Sequence, residues 1–417
     1  MAPPRSTAVR VGGVAVAMVL VAEAAVWLLR PGEQPPDPLP VVEDDYFAPS
    51  ELERARDYRD GQRWLLIAGI AVEGAVVLAV ALGHPSPVRR RLERLAARPL
   101  AGAAVAGAGV AVIGAAATLP TRLAAHERAV DFGLSQQSLG SWSWDVARSA
   151  GIACVLIAGG AFLLLALVRR FPRRWWLPGS GAVVVLATAF TWLAPVVLAP
   201  IFNRFEPLPE SSELRSEVLE LGRRGGVEIG EVYSVDASRR VTSLNAYVDG
   251  IGPTKRVVLY DNLVEEADRP ELESVVAHEL AHVAHDDIPR GIAFVAIVAP
   301  LGLLFVRELG GALAARGGFA SGSPAAVPAY LLAIFAATLI LNVPGNQLSR
   351  KVEASADHFA LELTDDPQAL VDLQLRLART NLSDPDPPEL LQVLFGTHPT
   401  KVERIGAALA FERETGS

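Results

Sequence analysis

The stretch SVVAHELAHVAHDD, residues 274–287, sets His278 and His282 four residues apart, with Glu279 directly after the first. On a helix, side chains four apart share a face about 6 Å from one another, so the two imidazoles can close on one metal ion. Glu279 stands one position round from His278. There it can reach a water held at the metal without itself ligating, which is what a general base requires. A catalytic zinc needs a third protein ligand and an open position. His285 shares the helical face, but helical rise sets it about 10 Å along the axis from His278, too far to close easily on one ion. The better donor is Glu353 in SRKVEASADHFA. Asp357 follows four residues later on the same face, placed to hydrogen-bond a ligating histidine or a reacting group. Two neutral imidazoles and one carboxylate leave a zinc site with a net charge of about +1, enough Lewis acidity to activate water.

Such a site needs water, yet the chain around it is apolar. Of 417 residues, 51% are hydrophobic and 20% charged, and the mean hydropathy is +0.31. A soluble domain carries about 25% charge, so the balance points to a membrane protein. The net charge of −8 argues against a nucleic-acid partner. A single cysteine, Cys154, excludes an internal disulfide framework and a cysteine-based metal knuckle. It reads as a small buried apolar residue.

A helical span takes roughly 20 apolar residues. Candidates are Val11–Leu29, Trp64–Leu82, Leu100–Leu119, Ala150–Val168, Trp176–Ala199, Gly291–Val306 and Ala325–Val343, the sixth short and interrupted by Pro300. The first is longer than a signal-peptide core and more spans follow it, which favours a retained span. Glu23 and Glu73 fall within apolar runs, where a lipid-facing carboxylate is costly, so both are expected to face the bundle interior or water.

The predicted fold is a predominantly α-helical integral membrane protein of about seven spans with a small α+β, zincin-like catalytic domain. Residues 1–200 form a membrane region of five spans, and 201–289 a catalytic region with a β-hairpin and the metal helix. Residues 290–345 supply two further spans, and 346–417 a helical region with the third ligand. In 201–289, EVYSVDAS, LNAYVDG and KRVVLYDNLV have strand character. Asp268, Pro270, Glu271 and Glu273 read as the start of the metal helix, with a cap, proline at its first position and acids in its first turn.

With these residues in hand, the sequence resembles the M48 family of membrane zinc metallopeptidases, and within it the Ste24 / CaaX prenyl protease 1 type. HELAHVAHDD resembles the family's zinc helix, including a polar residue, here Asp287, nine positions after the first histidine. SRKVEASADHFA resembles its SRxxExxAD element, SLNAYVDG its NAY strand, and FGTHPTKVERI its THPxxxxRI segment. ARDYRDGQRW, DFGLSQQSLGSW and APIFNRFEPLP sit where this type has comparable segments after its first, third and fifth helices. The resemblance implies one zinc per chain on His278, His282 and Glu353, with Glu279 activating the water and Asp357 as a supporting carboxylate or proton donor. Asn245 and Ala246 are implied to bind the substrate backbone by strand addition. His398 is implied to donate to the oxyanion, with Arg404 as support. The helices are implied to enclose a hydrated chamber.

The expected partners are a peptide or membrane-protein substrate and the lipid bilayer of the cell membrane. The function read from the sequence is peptide-bond hydrolysis near the membrane. An HtpX-like quality-control protease is the enzyme alternative, and a scaffold with a structural metal the non-enzyme one. Arg89, Arg90, Arg91, Arg94 and Arg98 follow the second span, and Arg169, Arg170, Arg173 and Arg174 the fourth. By the positive-inside rule these loops are cytoplasmic and the catalytic side is external. The resemblance implies a cytosolic catalytic side.

Overall fold

The computed structural model describes residues 5–32, 35–83, 94–249 and 255–416. Arg89, Arg90 and Arg91 lie outside them. Five long helices come first: α1 (Arg5–Leu29), α2 (Pro49–Gly83), α3 (Pro99–Asp131), α4 (Leu139–Arg170) and α5 (Trp176–Leu193). α5 runs on through a π-helical turn, Ala194–Leu198, to Phe202. A four-stranded sheet and its helices follow: β1 (Phe205–Pro207), α6 (Glu213–Arg224), β2 (Glu231–Val235), β3 (Ala246–Asp249), β4 (Arg256–Tyr260), α7 (Asp261–Glu266) and α8 (Arg269–Ala284). Then come α9 (Asp287–Arg316), α10 (Val327–Thr364), α11 (Pro367–Thr380), α12 (Glu389–Phe395) and α13 (Lys401–Thr415). Seven of these helices, α1–α5, α9 and α10, are long and apolar enough to cross a membrane.

Small residues let the membrane helices approach closely, as lipid-embedded packing requires. A Cβ on Gly107 of α3 would lie 2.8 Å from the Ala161 Cβ and 2.9 Å from the Ile157 carbonyl of α4. Trp175, at the start of α5, and Tyr330 of α10 meet edge to face at 5.9 Å within an interior shared with Met18, Phe305 and Val306. Glu23 and Glu73 are both exposed, not packed between helices. Cys154 is half-buried, against the expectation of full burial.

The sixth span is not short. α9 is a regular helix of 30 residues that passes through Pro300. Likewise, the seventh span and the helical segment expected to carry Glu353 are one helix of 38 residues, α10, which continues through Pro344. A proline inside a membrane helix removes one backbone bond, which neighbouring helices can compensate, so neither proline ends its segment. The expected boundaries at 289/290 and 345/346 therefore fall inside continuous helices.

Strand order in the sheet is β1-β2-β4-β3, with β2 parallel to β4 and the outer pairs antiparallel. β4 is central, and its Val257, Val258 and Leu259 are fully buried. The expected hairpin is β3–β4; β1, within the APIFNRFEPLP segment after the fifth span, is an additional strand. One face of the sheet packs on α8, whose Val276, Ala277 and Leu280 share a core with Leu244 and Ala246, and with α10, α11 and α13 through Leu361, Leu370 and Ile405. Asp268 caps α8, and Glu271 at the third position accepts the Asp268 N–H at 2.8 Å, a capping box. Pro270 is the second helical residue, one place later than expected, since Arg269 begins the helix. The N-terminal segment crosses α13 at Gly406, whose carbonyl accepts the Leu39 N–H at 3.0 Å. A Cβ at Gly406 would collide with the Leu39 carbonyl, so this crossing requires glycine.

Candidate metal centre

α8 and the far end of α10 face each other, and their polar side chains meet at one point. His278 Nε2 lies 3.2 Å from Glu353 Oε2, and His282 Nε2 lies 3.8 Å from Glu353 Oε1. Ligands about 2.1 Å from a tetrahedral ion stand about 3.4 Å apart, so these separations fit two imidazoles and a carboxylate around zinc. Glu279 joins the same cluster: ligand atoms of His278, Glu279 and His282 lie within 4.8 Å of one another. Glu353 is the stronger candidate for third ligand, because its two oxygens confront both Nε2 atoms. His285 is turned away. It ends α8, where its ring meets Phe359 edge to face at 5.3 Å and Ser355 Oγ lies 3.4 Å from its Nδ1.

Each candidate histidine is fixed from behind. His278 Nδ1 donates to Asp357 Oδ1 at 2.8 Å, and His282 Nδ1 donates to Asp287 Oδ2 at 2.9 Å. With both Nδ1 protons so placed, both Nε2 atoms point at the cluster, and loss of the His278 Nε2 proton leaves the tautomer a metal ligand needs. Each supporting carboxylate has its own arginine. Arg404 grips Asp357 with two donors, Nε to Oδ2 at 2.8 Å and Nη2 to Oδ1 at 2.5 Å, and Arg290 Nη1 donates to Asp287. The two ion pairs cancel, so the charge sum for a divalent ion on His278, His282 and Glu353 remains about +1.

Asp287 is the member that sequence reasoning left without a role. It is brought back onto His282 by a break between helices. His285 closes α8, Asp286 adopts the left-handed conformation (φ 54°), and Asp287 opens α9. Aspartate visits that region at low cost. Asp287→Ala is expected to weaken metal affinity about 10- to 100-fold, measured by competition with a chromophoric chelator. Unchanged affinity would mean that packing alone orients His282.

Arg404 was expected to support an oxyanion. It is 8% exposed and bound to Asp357, itself 1% exposed, so it acts on His278 from behind. Asp357 accepts from both Arg404 and His278, an arrangement that suits a positioning anion and not a proton donor. His398 stands in front. Its Nε2 is 3.3 Å from Glu353 Oε2 and its side chain is 55% exposed. The Thr397 hydroxyl lies 2.9 Å from His398 Nδ1, and donation there assigns the ring proton to Nε2. Asn245 is exposed at the head of β3, its Oδ1 accepting the Ala246 N–H at 3.0 Å.

Burial pushes His278 down, but the carboxylates of Asp357 and Glu353 outweigh it and hold the imidazolium up to about 10. Burial and the neighbouring His278 charge push His282 below its ordinary value. Without metal, the site therefore holds one proton where the ion would bind. Metal uptake near pH 7.5 should release about one proton, because the ion displaces the one on His278. Since that proton competes with the ion, apparent affinity should rise about tenfold per pH unit towards 10 and fall as pH falls. Calorimetry in buffers of different ionisation enthalpy tests this; proton-independent binding contradicts it.

A seven-helix membrane bundle with an HExxH helix and an opposed glutamate defines a membrane-embedded metalloprotease. Two family models match: Peptidase family M48 over residues 209–412, and the CAAX prenyl protease N-terminal region of five membrane helices over 33–204. The chain belongs to peptidase family M48. An uncharacterised metalloprotease of Bacillus subtilis, YhfN, is 28% identical over 86% of this chain and 86% of its own. The CAAX prenyl protease 1 homologue of Oryza sativa is 32% identical over 62% of this chain and 58% of that protein. A probable CAAX prenyl protease 1 of Schizosaccharomyces pombe is 28% identical over 66% and 59%. The chain thus matches under two thirds of the length of these two eukaryotic relatives. The crystal structure of S. mikatae Ste24p shares the fold, with a TM-score of 0.73 at 20% identity over 95% of this chain and 98% of that one. The match to the five-helix CAAX prenyl protease N-terminal region disfavours the HtpX-like alternative, and the peptidase match disfavours the scaffold.

Proposed function

We propose that one zinc ion per chain is held by His278, His282 and Glu353, and that the chain cleaves peptide segments presented at the membrane. The carrying observation is the placement of Glu353 against both Nε2 atoms, with Glu279 beside them. Zinc, when bound, supplies a Lewis acid that polarises the scissile carbonyl and lowers the pKa of water. Burial raises the Glu279 carboxyl, bringing it nearer the range of a base that also returns its proton. Glu279 takes the proton of the attacking water and delivers it to the leaving nitrogen. His398 Nε2–H donates to the oxyanion, and its exposed loop lets it adjust to substrate. Ala246 presents its outward carbonyl, and Asn245 the amide nitrogen of its exposed side chain, for a peptide laid along the edge of β3.

A hydrated chamber among the helices is supported by Glu23 and Glu73, exposed carboxylates within apolar spans, which lipid would disfavour. With seven spans, Arg94, Arg98, Arg169, Arg170, Arg173 and Arg174 fall across the membrane from the site. The charge rule thus still opposes the cytosolic side implied by the resemblance. Reporter fusions at residues 95 and 417 decide between them: a cytoplasmic signal at 417 with an external one at 95 defeats the charge rule.

The substrate class proposed first is the CAAX-ending peptide, after the names of the eukaryotic relatives. Purified protein should cleave a farnesylated CAAX peptide, and Glu279→Gln should not. Comparing membrane-protein termini in native cells with either form extends the test. If only unrelated termini change and the CAAX peptide is untouched, a different membrane substrate takes its place.

A further inference from the structure

The edge of β3 stops where a side chain from another element takes its hydrogen bonds. Asn245 O accepts the Tyr260 N–H at 3.1 Å, so residue 245 faces β4. By strand alternation, the backbone groups of Leu244, Ala246 and Val248 face the outer edge. At Leu244 both outward groups are engaged. Asn381 Oδ1 accepts the Leu244 N–H at 3.0 Å, and Asn381 Nδ2 donates to the Leu244 carbonyl at 3.4 Å. The amide thereby imitates one residue of a neighbouring strand.

Asn381 is itself held firmly. It ends α11, and Leu382 follows in the left-handed region (φ 44°), a conformation unusual for leucine. Arg59 of α2 clamps that turn, with Nε donating to the Leu382 carbonyl at 2.8 Å and Nη2 to the Asn381 carbonyl at 2.6 Å. Ser383 N–H closes it on the Ala378 carbonyl at 2.9 Å. Leu382 is 9% exposed, so packing holds its side chain as well. Such over-determination keeps a strained turn in place.

We propose that Asn381, locked by Arg59 of the second membrane helix, is a register stop. It fills the pairing position at Leu244, so a peptide laid on the edge begins pairing at the Ala246 carbonyl, the Ala246 N–H being held by Asn245 Oδ1, and gains no backbone contact beyond it. The proposal rests on the reading of β3 as the substrate edge. It makes Asn381 a positioning residue that limits how many substrate residues are recognised at one end.

The test uses the full chain in detergent or nanodiscs. Quenched-fluorescence peptides are lengthened one residue at a time at either end of a single cleavage site. In the unaltered protein, kcat/KM should rise with length and then level off at each end. In Asn381→Ala the levelling at one end should move outward by about two residues, the strand repeat. Peptides of that added length should gain about three- to tenfold, the worth of one or two backbone hydrogen bonds. Asn381→Asp still accepts the Leu244 N–H but cannot donate to its carbonyl, so it should give a smaller gain than Asn381→Ala. Arg59→Met, which frees the turn, should move the levelling as Asn381→Ala does. A uniform fall in kcat/KM at every length, with the levelling unmoved, would make Asn381 merely structural and overturn the proposal. The underlying edge reading has its own control. Val248→Pro removes one outward N–H and should raise KM; an unchanged KM refutes the edge reading and the register stop with it.

Discussion

Glu279→Gln is expected to keep its metal and lose peptide hydrolysis by about 10²- to 10⁴-fold or more. Four carboxylates surround the two histidines, and three of them are engaged. Glu353 faces both Nε2 atoms, Asp357 is bound by His278 and Arg404, and Asp287 by His282 and Arg290. Among these described carboxylates, the Glu279 side chain accepts no hydrogen bond, so it alone can take up and release a proton without first breaking a contact. Its own helix holds it one step round from His278, and burial raises its carboxyl. Glutamine has the same shape and cannot accept a proton at neutral pH, so the variant separates base from ligand. Metal content by mass spectrometry and kcat/KM on a quenched peptide give the two readouts. Turnover near that of the unaltered protein rules out the base assignment. Lost metal instead makes Glu279 a ligand.

Much of this site was legible because its chemistry follows helical spacing. The four-residue repeat put His278 with His282 and Glu353 with Asp357, and axial rise removed His285. Each inference concerns side chains on one element, where period alone fixes neighbours. The spans were legible for the same reason, from the length of apolar runs. What spacing does not carry is contact between elements. Asp287 is five residues from His282, yet meets it only because Asp286 takes a left-handed turn. Arg404 looked available for substrate until its burial against Asp357, 47 residues away in sequence, was seen. The join of the seventh span to the Glu353 segment was hidden by Pro344 and by a change from apolar to charged residues. That change marks where the helix leaves the bundle, not where it ends. Arg59 and Asn381 are 322 residues apart and bear no local signal at all. The geometry around the metal was thus readable in pairs, while the arginines and carboxylates that hold those pairs required the fold.

Glu353→Ala makes the opposite prediction to Glu279→Gln: the metal should go, and activity with it. Zinc on four protein ligands in small domains is bound by about 10–16 kcal/mol, or ~3 kcal/mol per ligand if shared evenly. Losing one ligand then weakens binding by at least about 10²-fold. The fold should survive. Glu353 lies on one face of a helix of 38 residues whose register is set elsewhere, by Leu361 in the catalytic core and Ala333 in the membrane bundle. His278 and His282 also keep their supports, because Asp357, Arg404, Asp287 and Arg290 do not depend on Glu353. Residual weak binding by the two histidines is therefore expected in place of collapse. Equilibrium dialysis against a zinc buffer measures the loss, and thermal unfolding in detergent checks the fold. His285→Ala serves as the paired control and should retain full occupancy, since Phe359 and Ser355 hold that ring away from the cluster. Full occupancy in Glu353→Ala with loss in His285→Ala would return the third ligand to α8. It would also require His285 to leave Phe359 and swing towards His278, a rearrangement that axial rise along a single helix opposes.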